Sequence, residues 1–239
     1  MTIPWGNGVS DPVLAQMEEW IERWHQNHDQ RETFLACYRL MTANMLTAIE
    51  RREFSDGDWV NHLLHRFADY YFAALHAFEQ ERSHTPPVWQ AAFDAALSST
   101  YTPLQNLLLG VNAHINYDLV LTLDDLLQPE WHSLDPPHRA MRRMDHNRVN
   151  RIIAATIDAV QDQILEPAMP VMQAVDVLLG GMDERLIAGL ITRWRGKVWQ
   201  YAVYLLESPA NEERTRWIAR MEQEALHTAR WIGWRGETG

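Results

Sequence analysis

The sequence predicts an all-α fold, a single-domain bundle of eight or nine helices with one central buried helix at about 103–127. Three observations predict it. Apolar residues recur at three- and four-residue spacing along nearly the whole chain, prolines and capping residues punctuate it at helical intervals, and no run alternates apolar and polar residues between hairpin turns. A length of 239 residues with 46% apolar side chains suits one large helical domain over 1–239, with 1–10 and 234–239 as loose termini.

Asp11-Pro12 places a cap before proline at the first helical position and opens a helix with Val13, Met17, Trp20, Ile21 and Trp24 on one face. A second helix carries Phe34, Tyr38, Met41, Met45 and Ile49. Asp56 caps a third, whose stripe includes Leu63, Phe67 and Tyr71. Pro86-Pro87 breaks the chain before a short helix around Trp89 and Phe93. Thr102-Pro103 opens the fifth helix, which runs to about Leu127, and Pro129 and Pro136-Pro137 bracket a loop with Trp131 and His132. A sixth helix extends from about His138 to Leu165, and a short one follows to Leu179 before the Gly180-Gly181 break. Asp183 starts a long helix to about Leu206, and Ser208-Pro209 with Glu212 and Glu213 starts the last.

Composition excludes several functions. A net charge of −11 repels phosphate backbones and argues against nucleic-acid binding. The single cysteine, Cys37, allows no internal disulfide and no cysteine metal cage, and its apolar neighbours predict a buried thiol. No stretch is apolar enough for a membrane span, and the N-terminus lacks the basic and apolar regions of a signal peptide, so the expected compartment is the cytoplasm. Eleven Trp and ten Met either fill irregular space between helices or wall a pocket for an apolar ligand. So many aromatics are also compatible with a homodimer.

The fifth helix is the unusual one. From Tyr101 to Pro129 it has no Lys, Arg or Glu, which marks burial on most sides, yet it carries Asn112, His114, Asn116 and Asp118. His114 and Asp118 stand at i,i+4 on one edge of its apolar stripe, and Asn112 and Asn116 form a second such pair on the other edge. A buried Asp is costly unless it is paired, hydrogen-bonded or metal-bound, so Asp118 requires partners elsewhere in the fold. Asp145 and His146 on the sixth helix, with Asn150 one turn on, are the expected partners. His65 and Asp69 on the third helix repeat the His-x-x-x-Asp spacing, but with His62 and His76 they lie opposite that helix's apolar stripe, where solvent is an equal alternative.

The run Asn112-Ala113-His114-Ile115-Asn116-Tyr117-Asp118-Leu119 resembles the signature of a family known only as a domain of unknown function. The likeness extends to Arg66-Phe67-Ala68-x-x-Tyr71 and to Asp145-His146-x-x-Val149-Asn150, about residues 30–235. It implies a site and no activity. A more distant similarity joins His114 and Asp118 to the helical zinc-dependent phospholipase C and P1-type nucleases, which hold zinc with a His-x-x-x-Asp pair. By that analogy His65, His132 and His146 are further ligands, although His146-x-x-x-Asn150 departs from the second His-x-x-x-Glu pair of those enzymes.

Three functions therefore stand as expectations. The first is a metal-dependent hydrolase. His114, Asp118, Asp145, His146, His65 and Asp69 would hold a divalent ion such as zinc, with His114, Asp118 and Asp145 catalytic and Asn112, Asn116, Asn150, Tyr117, Arg66 and Tyr71 around the substrate. The second is a metal-free lyase, isomerase or cyclase, or a binding protein, that meets an apolar small molecule with the His114–Asp118 pair. The third is a non-catalytic assembly module whose polar cluster fixes helix register.

Overall fold

The computed structural model describes residues 11–160, 184–208 and 211–233. Their order is α1 (Pro12–Gln26), α2 (Arg31–Glu50), α3 (Gly57–Gln80), a 3-10 turn (Arg82–His84), α4 (Pro87–Ala96), α5 (Pro103–Ala113), a π-helical turn (His114–Asp118), α6 (Leu119–Leu127), α7 (Pro136–Val160), α8 (Glu184–Glu207) and α9 (Asn211–Gly233). Among the described residues there is no strand, and no helix is long and apolar enough to cross a membrane. The expected loose termini, the end of the sixth helix and the short helix to Leu179 lie outside the described residues.

Local chemistry sets the starts. The Asp11 carboxylate accepts from the Val13 N–H at 3.0 Å and Pro12 occupies the first turn of α1. Asp56 does the same for the Trp59 N–H at α3. At α5, Thr102 accepts from the Gln105 N–H while the Gln105 side chain accepts from the Thr102 N–H, a reciprocal cap that satisfies two orphan donors.

The helix expected at about 103–127 is continuous but not uniform. Its backbone widens over His114–Asp118, where the Leu119 N–H reaches back to the His114 carbonyl. That inserts one residue into the ladder and turns the α6 side chains by about 100° relative to an unbroken α-helix. The rod is central: α5 packs on α2, α4 and α9, α6 packs on α3 and α8, and the π turn itself touches α3, α8 and α9. One core runs through the molecule, from Met17 and Trp24 in α1 to Met221 and Ala225 in α9.

Candidate functional site

The π turn positions the site. His114 Nδ1 lies 2.9 Å from an Asp118 carboxylate oxygen, the i,i+4 pairing that the spacing predicts. Asp118 is 1% exposed. Its second partner comes from α4: the Trp89 indole N–H donates to the same oxygen at 2.8 Å. An indole N–H can only donate, so that oxygen is held as an acceptor.

Aromatic rings box in the imidazole. Phe67 lies flat on it, with centroids 3.5 Å apart and planes 9° off parallel. Tyr38 meets it edge-on at 4.4 Å, while Phe34, Trp89 and Tyr71 stand about one ring further out. Burial in this apolar shell disfavours both ions. It pulls His114 well below the ordinary imidazole value and pushes Asp118 well above the ordinary carboxylate value, against the Trp89 hydrogen bond. His114 Nε2 is buried with no hydrogen-bond partner among the described residues. The pair is thus an oriented imidazole with one nitrogen tied and the other free.

A cavity of about 190 Å³ adjoins it. Its wall is built from α2 (Cys37, Met41), α3 (Leu63, Phe67), α5 (Leu104, Leu108, Val111), α7 (Val149, Ile153) and α8 (Ile187, Ile191), with His114 in the wall. The few polar groups among them include Thr42, Thr156 and Arg195. Cys37 is half-buried because it faces this space, and burial pushes its thiol up to about 12, which makes it a poor nucleophile. The profile of the family described as a family of unknown function (DUF5995) matches residues 10–233. The chain belongs to that family. No curated protein and no solved structure matches.

The remaining polar candidates of this DUF5995 member divide among separate networks. Asp145 does not meet Asp118. Its two oxygens accept the backbone N–H groups of Ser55 and Asp56 at 2.9 and 2.8 Å, which pins the start of α3 onto α7. His146 faces α8, where its Nε2 lies 3.2 Å from the Arg195 carbonyl oxygen and its own carbonyl accepts from Arg195 at 2.7 Å. Asn150 accepts from Arg195 Nε at 2.8 Å. Burial, then the Arg195 cation, holds His146 well below the ordinary imidazole value.

Asn116 donates to Asn112, which donates to the Ala225 carbonyl of α9, so this second pair bolts the π turn to the last helix. Tyr117 beside it is half-buried, and burial pushes its phenol up to about 12. His65 bonds the Asn61 carbonyl and the Asp11 cap of α1, whereas Asp69 has a side chain 67% exposed. Arg66 pairs with Asp125 at 2.5 Å, and Tyr71 is fully buried at the edge of the aromatic box. His132 is exposed in its loop.

These placements bear on metal binding. Among the described residues no three His, Cys, Asp or Glu side chains gather as a metal cage would need. His114 and Asp118 offer two donors already bonded to each other, and the oxygens of Asp145 and nitrogens of His146 are occupied elsewhere. A zinc site of the expected six residues does not fit this arrangement.

Sequence reasoning missed Trp89 and Arg195. Trp89 is one of eleven Trp, and nothing in its local pattern distinguishes it. Arg195 did carry a signal: Ile187, Ile191 and Arg195 stand every fourth residue on α8, so a cation ends an apolar stripe.

Proposed function

We propose that this chain binds an apolar small molecule in the central cavity, with the imidazole held by Asp118 as a polar contact. The observation that carries this is a space of about 190 Å³, walled almost wholly by hydrocarbon from five helices, with the His114 side chain in its wall. An apolar cavity of roughly 150 Å³ already admits benzene. An occupant bound by the folded chain and not by the unfolded one raises stability by mass action.

The test uses 1-octanol as the probe in titration calorimetry. Saturable binding with a negative heat-capacity change is the expected result, because apolar burial on binding carries that sign. Leu108→Trp, which projects a larger ring into the cavity, should remove it. Absence of saturable binding to the wild-type chain, with no rise in Tm at saturating octanol, overturns the proposal.

A metal-dependent hydrolase has less support, since the donors do not converge. One divalent ion per chain in protein purified without chelator, lost in both His114→Ala and Asp118→Ala, would replace the cavity reading with that one.

A further inference from the structure

The cavity holds a buried cation for which the described residues supply no counter-ion. Arg195 is 4% exposed and forms part of the wall, yet none of its hydrogen bonds reaches a carboxylate. Its Nε donates to the Asn150 side-chain carbonyl, and one terminal nitrogen, Nη2, donates to the His146 backbone carbonyl. Both acceptors are neutral. The same Nη2 approaches His146 Nδ1 only at 3.4 Å, and Nη1 has no acceptor among the described residues. Every other buried arginine whose contacts are described here differs: Arg39 pairs with Glu18, and Arg142 with Asp56 and Glu130.

Leaving a guanidinium in an apolar interior without an anion costs several kcal/mol, and a cation so placed is a strong receptor for one. Burial pulls this guanidinium down to about 9, so it stays charged at neutral pH. Its setting restricts the anion. The stripe Ile187, Ile191, Arg195 covers about 12 Å of helix at 1.5 Å per residue, hydrocarbon first and guanidinium last. With one cation and apolar walls, the site suits a single negative charge on a hydrocarbon body. A carboxylate can accept from the two N–H groups of Nη1, the guanidinium nitrogen that Asn150 and His146 leave open.

We infer that the ligand of this cavity is an apolar monocarboxylate, its carboxylate bound by Arg195 and its hydrocarbon chain lying along Ile191 and Ile187 toward the start of α8. The inference rests on the cavity being a binding site and adds the chemical class of what enters it. His146 and Asn150 are positioning residues here: they hold Nε and Nη2 and leave Nη1 facing the ligand.

Octanoate and 1-octanol, equal in chain length and different in charge, form the test. Calorimetry on the wild-type chain should show octanoate binding at least tenfold tighter, and in Arg195→Gln the ratio of the two affinities should fall to near one. In a second measurement, carboxyl-13C octanoate bound to the wild-type chain is titrated by NMR. Its carboxyl pKa should lie below that of free octanoate, since a bound cation favours the ionised form while an apolar pocket alone would raise it. The NMR titration decides the matter if Arg195→Gln does not fold. Equal affinity of the wild-type chain for both probes, or a carboxyl pKa raised on binding, overturns the carboxylate assignment and leaves the cavity reading intact. Binding of neither probe removes the cavity reading as well.

Discussion

Asp118 is the residue on which the polar centre turns, because one of its oxygens serves two buried donors, the Trp89 indole and the His114 imidazole. Asp118→Ala orphans both, at about 1–3 kcal/mol for each. Asp118→Asn can keep its amide oxygen in that place as the acceptor for both donors, so it should cost markedly less. Urea unfolding of the two variants checks the order, and equal losses would show that charge matters more than the hydrogen bonds. The pH dependence belongs to the same scale. His146 is neutral in the fold, whereas the unfolded chain has an ordinary imidazole near 6.5. Below that pH the unfolded state takes up a proton that the folded state refuses, so stability falls as pH drops, by up to about 1.4 kcal/mol per unit. His114 adds to this fall, while the raised Asp118 opposes it, because the folded Asp keeps a proton to higher pH than the unfolded one. Unfolding free energies should therefore fall as the pH drops below about 6.5, and less steeply than the two imidazoles alone would give. Stability that rises as the pH is lowered through this range would show that the two imidazoles are not held neutral in the fold.

At the scale of the element, the central rod depends on a close approach at Gly110. A Cβ there would meet the ring of Phe34 at 2.5 Å, so α5 sits against α2 only because the position has no side chain. Gly110→Ala should destabilise by about 1–3 kcal/mol through overpacking. Phe34 belongs to both the cavity wall and the box around His114, so octanol affinity should fall with stability. If calorimetry shows unchanged affinity in a destabilised variant, Phe34 relaxes away from the cavity. The π turn is the other feature of this scale. It carries His114 and Asp118 at bonding distance, and from it Asn116 reaches back to Asn112 of α5, which donates to α9.

For the whole molecule, the cavity is where stability and binding are exchanged. Leu108→Trp fills part of it from the α5 side. By the usual yield of cavity filling, the variant should gain about 0.5–2 kcal/mol while losing octanol binding. A thermal melt with and without octanol reads both at once: the wild-type Tm should rise with octanol, and the variant's higher Tm should not move. A variant that melts lower than wild type and still responds to octanol would place the ligand elsewhere.

The helical class, most element starts and the position of the polar centre were legible in the sequence, because they rest on local chemistry. Prolines and caps act on the nearest turn, and a stretch from Tyr101 to Pro129 without Lys, Arg or Glu declares its own burial. The His114–Asp118 contact was readable for the same reason, since its partners are four residues apart. What only the tertiary structure decided was long-range. Trp89 rather than Asp145 or His146 completes Asp118, and the two α7 residues serve the start of α3 and the Arg195 guanidinium. Helical periodicity says which face of a helix is buried but not which helix covers it. Nor does it show where packing stops short of filling space, so the cavity could not be read from the residues alone, and the α8 stripe that ends in Arg195 does not by itself say that it faces one.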